Sequence, residues 1–248
     1  MFVPKTIVSS LVVDNLKLLN DKRLFYYCDP SLDLILEGYE VFEFGAYRGV
    51  DISMDYDQMN TDYKANKFSL LNSRYQKEDA CEPQMFMTFA EQQLILAEAT
   101  VRGWISSGNA KDYYESGVKA ALKITMAMNA DYAHGGAIDQ AYIDGYFTGE
   151  AAFKSTAAEQ LKQIWMQEYL LRFMQDGDYS YFEYRRNKYP EFPINPASSM
   201  NVNKTDAIPM RCLYPGSESE YNRPNLIDAL NRQYDGYDEI NKVMWLYK

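Results

Sequence analysis

MFMTFAEQQLILAEATVRGWISSGNAKDYYESGVKAALKITMAM, the stretch from Met85 to Met128, decides the fold class. Phe86, Ala90, Leu94, Ala97, Val101 and Trp104 follow one another at intervals of 4, 4, 3, 4 and 3 residues. That spacing keeps to one face of an α-helix. Gly108 stops the run. Ala110, Tyr114, Gly117, Ala121, Ile124 and Met128 then recur at intervals of 4, 3, 4, 3 and 4. So short a connection makes the two helices antiparallel neighbours. Ala97, Gly117 and Ala121 let them approach closely. The pair has the form of one tetratricopeptide-type hairpin. No second copy recurs at that repeat period, so a solenoid is not predicted.

Working outward, the flanks carry more helix. Leu11, Asn15, Leu18 and Leu19 give Ser9–Leu24 a helical rhythm, which Cys28-Asp29-Pro30 breaks because proline disfavours helix at the residue before it. Asp131–Glu150 reads as a linker with Gly135, Gly136, Gly145 and Gly149. Thr156 and Glu159 then fit a capping box, in which each residue satisfies a free backbone donor of the other. The run after it, from Leu161 to Phe173, is apolar nearly all round, as a central helix is. Asp176-Gly177 ends it. Beyond that point, X-Pro pairs such as Tyr189-Pro190 and Tyr214-Pro215 favour extended or turn geometry, with a short helix expected at Asn225–Gln233. The fold class is mainly α: residues 85–248 form a helical scaffold with an irregular C-terminal segment, within a single region covering 1–248.

Residues 29–83 read differently. They hold Gly38, Gly45 and Gly49 with many Asp and Asn, show no sustained period, and are predicted to be a long aromatic-rich loop insertion. Loops of that length in a compact protein are functional or disordered, and the aromatic content argues against disorder. The chain has 22 Tyr beside 12 Phe and 3 Trp. A tyrosine joins a flat apolar face to a hydroxyl that donates or accepts, which suits amphipathic ligands such as sugars. Large helical cores also use tyrosine near their edges. From their place in the loop, Tyr39, Phe42, Phe44, Tyr47, Tyr56 and Tyr63 are the candidate ligand-binding residues.

Other functions find little support. The formal net charge is −10, with the basic residues scattered, so no nucleic-acid partner is expected. His134 is the lone histidine, and neither GxSxG nor HExxH is present. Glu37, Glu40, Glu43, Asp51, Asp55 and Asp57 offer carboxylate pairs. A glycoside hydrolase therefore stays an alternative, beside a protein-interaction scaffold, but the reading is of a non-enzyme. Asp55, Asp57 and Asn60 lack the calcium-loop pattern, and no phosphate-binding glycine motif occurs, so neither metal nor cofactor is expected. Cys28, Cys81 and Cys212 form no CxxC pair. No stretch of about 18 apolar residues exists to span a bilayer as a helix. The first five residues lack the regions of a signal peptide.

Seven short pieces, taken in order, resemble the SusD/RagB family of nutrient-binding outer-membrane lipoproteins, in its SusD-like branch. They are Asn20-Asp21-Lys22-Arg23-Leu24; Leu94-Ile95-Leu96-Ala97-Glu98-Ala99 with Gly103; Tyr114-Glu115-Ser116-Gly117-Val118; Ile164-Trp165; Glu183-Tyr184-Arg185-Arg186 through Tyr189-Pro190; Arg211 through Tyr214-Pro215 to Glu220 and Asn222; and Val243-Met244-Trp245. Cys212 inside the sixth piece and Leu246, where a second Trp is common, depart from the pattern. The arginines of the fifth and sixth pieces read as scaffold, because irregular backbone is satisfied by side chains and arginine brings five donors. The resemblance is to the C-terminal half of family members. It implies a SusD-like α-helical scaffold that binds glycan without catalysis, lipid-anchored at the outer-membrane surface in the full-length protein. It also implies a SusC-like TonB-dependent transporter as partner.

Overall fold

The computed structural model describes residues 6–247. These form two compact units. One runs to Ser180 and takes in Tyr189–Phe192; the other is Tyr181–Lys188 with the residues from Pro193 onward. The described residues contain isolated β-bridges but no strand, and no helix among them is long and apolar enough to cross a membrane.

The first unit opens with α1 (Ser10–Leu18) and α2 (Arg23–Tyr27) where one helix was expected. The break has a cause in the sequence. Asn20 takes a left-handed φ of +50°, and Asp21 Oδ1 accepts from the Arg23 backbone N–H at 2.9 Å. Asp21 and Arg23 are fully buried. The Arg23 guanidinium spends two bonds on the Asp21 carboxylate and a third, of 2.6 Å, on Gln167 Oε1. Burial is the largest single influence on the Arg23 pKa and lowers it, but the Asp21 charge and hydrogen bond, with Tyr27 and Tyr146, together outweigh it and the pKa rises.

Residues 29–83 depart from the expected irregular insertion. They contain α3 (Leu32–Leu36), α4 (Tyr56–Lys64) and α5 (Arg74–Lys77), each too short to display a period. The segment is also sewn into the core. Val50 N donates to Val8 O, Ser10 N to Val50 O, and Asn72 N to Tyr27 O. The buried Arg74 holds the Tyr26 and Cys81 carbonyls.

The hairpin follows as α6 (Phe89–Val101) and α7 (Ala110–Met126). Thr88 and Asn109 cap their N-termini through side-chain oxygens, satisfying free backbone donors. A Cβ on Gly117 would stand 3.0 Å from Ala90 O and 3.0 Å from Leu94 Cγ, so the small residue sets the close approach. The expected linker at 131–150 holds α8 (Gln140–Gly145), whose first turn Asp139 caps. Next comes α9 (Ala157–Leu171), capped by Thr156. Its Ile164 and Leu170 are fully buried, in the same core as Leu94, Tyr114 and Leu122.

The second unit holds α10 (Tyr179–Asn187) from Tyr181 onward, α11 (Gly216–Tyr221) and α12 (Arg223–Tyr234). Its pin is Arg211. The guanidinium bonds to Asp238 and the Glu239 carbonyl, and lies 4.3 Å from the centre of the Tyr234 ring. Arg185 lies 4.9 Å from the Tyr247 ring centre. Both arginines do the scaffold work that irregular backbone demands.

Candidate functional site

Four of the six predicted rings sit around a 3-10 turn at Phe44–Ala46. Two of them belong to the interior. Tyr47 is 0% exposed and its hydroxyl donates to Val41 O at 2.8 Å. Its ring lies 5.4 Å from that of Phe25 and 6.4 Å from that of His134. Burial raises its phenol pKa far above the usual value. No face of Tyr47 is left for a ligand, and its assignment as a contact residue is corrected on that ground. Phe44 is half-buried against Phe25 at 4.9 Å.

Tyr39 and Phe42 point the other way, being 44% and 54% exposed. Each is backed by a glycine. A Cβ on Gly45 would fall 2.5 Å from Tyr39 Cε1, so only glycine lets that ring lie on the turn. Gly135 sits beneath Phe42 with room to spare, 3.7 Å from a Cβ built on it to the Phe42 Cβ. Exposed Leu36 and Val41 extend the apolar surface along the same segment.

The remaining two rings lie on α4. Tyr56 opens the helix and is 75% exposed; Asp55 fixes this turn by accepting from Asp57 N and Gln58 N. Tyr63 is half-buried in a cleft of about 140 Å³ with Pro30, Leu32, Asn66, Phe68 and Leu70. The site thus offers flat faces at the surface and one shallow recess.

The acids of the segment have local backbone roles. Glu43 accepts from Glu40 N, and Asp51 accepts from both the backbone and the hydroxyl of Ser53, which lowers its pKa. His134 Nε2 lies 3.0 Å from Asp29 Oδ1 and ties the glycine loop to the segment. Among the described residues, no group of three or more His, Cys, Asp or Glu is placed to hold a metal ion. Two further clefts were not foreseen. One, of about 300 Å³, is lined by Val8, Val12, Tyr169 and Phe173 beside Arg172, which pairs with Glu91. The other, of about 210 Å³, lies among α1, α9 and Tyr189. Both draw on residues far apart in sequence, so no local pattern announces them.

A family model described as "starch-binding associating with outer membrane" matches residues 2–215. The chain belongs to the SusD-like family. A SusD homologue from Bacteroides fragilis NCTC 9343 is 36% identical, superposes with a TM-score of 0.90, and is matched over 98% of this chain and 52% of its own. A second SusD homologue from the same organism is 33% identical with a TM-score of 0.81, over 96% of this chain and 50% of its own. A chitin-binding protein is 26% identical with a TM-score of 0.70, over 97% and 49%. The chain therefore spans about half the length of these SusD-like structures. Comparison with curated proteins yields no match. The mainly helical SusD-like fold agrees with the seven pieces read in order, and Asp21 and Arg23 of the first piece are its buried ion pair.

Proposed function

We propose that this chain holds glycan at the cell surface, without catalysis, for delivery to a SusC-like TonB-dependent transporter of the outer membrane. The observation that carries the reading is the pair of exposed rings, Tyr39 and Phe42, each beside a glycine, in a family of starch-binding description. A sugar face laid on an aromatic ring needs no proton transfer. Further support comes from the acids. Glu43, Asp51 and Asp55 bond to nearby backbone, as residues that shape turns do.

The test is titration calorimetry with maltohexaose and chitohexaose, chosen because starch and chitin name the relatives' ligands. Binding of either, with the oligosaccharide recovered intact, is expected. Cleavage would replace the reading with the hydrolase, and silence from both would remove glycan capture. For the transporter, the expected outcome is co-purification with a TonB-dependent receptor from outer membranes; recovery without one removes that partner.

A further inference from the structure

The cleft among α1, α9 and Tyr189 is a second binding place, and we infer that it takes one neutral sugar ring, as a subsite separate from Tyr39 and Phe42. At about 210 Å³ it is smaller than the ~300–1,000 Å³ of sites that enclose a drug-sized molecule, and it suits a single ring. Its apolar lining comes from Leu18, Leu19, Met166 and the Tyr189 ring. Leu18 is 58% exposed although it ends a helix whose Val12, Val13 and Leu16 are buried, so an uncovered apolar side chain stands at this mouth.

The polar lining decides the ligand class. The charged residues are Glu150, Lys154, Glu159 and Lys162, two of each sign. Lys154 Nζ meets Glu150 Oε2 at 2.6 Å, Glu159 Oε2 accepts from Thr156 Oγ1 at 2.6 Å, and Lys162 Nζ stands 3.5 Å from Glu191 and 5.8 Å from the Tyr189 ring centre. The opposite charges cancel, so neither an anion nor a cation finds a net partner. What remains is a mixture of ammonium donors and carboxylate acceptors around an apolar wall. A sugar ring has the matching surface: hydroxyls that both donate and accept, and C–H faces that lie on apolar carbon. An anionic sugar would find Lys154 held by Glu150 and Lys162 beside Glu191, so its carboxylate gains no partner.

This inference rests on the glycan reading, and the experiment separates the two. Saturation-transfer NMR is run on the full chain with glucose, N-acetylglucosamine and glucuronate, beside calorimetry with the two hexasaccharides. The wild type should transfer saturation to the neutral monosaccharides and not to glucuronate. Leu18→Trp, at an exposed position, fills the mouth without entering the core and should weaken the neutral monosaccharides about tenfold; Met200→Ala, at an exposed position of the second unit, should leave them unchanged. Monosaccharide signals equal in Leu18→Trp and wild type, or a preference for glucuronate, would overturn the subsite while hexasaccharide binding left glycan capture standing. Loss of hexasaccharide binding from the wild type itself would remove both.

Discussion

Tyr146 donates a 2.6 Å hydrogen bond to Asp21 Oδ2, the carboxylate oxygen that also holds Arg23. Tyr146, which follows α8 as its C-cap, thus closes over an ion pair formed at the break between α1 and α2, and Gln167 of α9 accepts from Arg23. Segments far apart in sequence are fixed by one ion pair. Asp21→Asn leaves the buried Arg23 charge uncompensated and should cost about 3–5 kcal/mol. Tyr146→Phe removes one hydrogen bond to a charged group and should cost about 1.5–3 kcal/mol. Urea denaturation ranks them. A Tyr146 variant less stable than the Asp21 variant would contradict the arrangement.

Alkaline pH should unfold the protein through its tyrosines. Burial raises the phenol pKa of Tyr27, Tyr114 and Tyr146; the Asp21 charge adds to the rise at Tyr146 and the Arg23 charge opposes it. In the unfolded chain, these phenols ionise near the ordinary value of about 10. Above that pH the folded state holds more protons than the unfolded one, so stability falls as pH rises; below it the contribution is fully present. The urea midpoint should therefore be level up to about pH 9 and drop by pH 11. Phenolate absorbance at pH 11 should jump when urea is added. Full ionisation before unfolding would show that these rings are not enclosed.

The sequence displays the long helices and hides the short ones, for a physical reason. Periodicity needs several turns to register, and α6, α7 and α9 have them; Thr156 stands at the N-cap of α9 where the capping box placed it. Helix α3 has 5 residues and α5 has 4, too few to repeat anything. The break after Leu18 turns on the φ of Asn20 and the Asp21 side chain, and a hydrophobic pattern reports neither. At the site, composition marked the aromatic segment but not which rings face outward. Tyr47 and Phe42 are equally aromatic and a few residues apart. Only the partners Phe25, His134 and Gly135, from other parts of the chain, separate a core ring from a surface ring. The Tyr189 cleft was illegible because α1, α9 and Tyr189 meet only on folding.

Gly49 and Gly145 should answer oppositely to alanine. A Cβ on Gly49 would lie 2.4 Å from the Ser10 backbone, at the junction where Ser10 N donates to Val50 O. Backbone at the start of α1 cannot step aside as a side-chain tip can, so Gly49→Ala should cost about 1–3 kcal/mol. Nothing lies within 4 Å of a Cβ on Gly145, and its φ is not left-handed. There alanine restricts only the unfolded chain and should add about 0.4–1 kcal/mol. Thermal unfolding of the two variants checks the contrast, and equal shifts would contradict it.

Truncating the aromatic rings should separate binding from folding. Tyr39→Ala and Phe42→Ala remove exposed faces, so each should weaken hexasaccharide binding about fivefold or more, ~1 kcal/mol per ring. Tyr56 is 75% exposed, so its truncation should leave stability within about 0.5 kcal/mol whatever it does to binding. Tyr47→Ala empties a fully buried volume against Phe25 and should cost about 3–5 kcal/mol of stability. Its effect on affinity should appear only through the loosened turn that carries Tyr39 and Phe42. Calorimetry and urea denaturation on the same four variants read both quantities. If Tyr47→Ala lost binding while keeping its stability, that ring would have to reach the ligand, and the inward placement drawn here would be wrong.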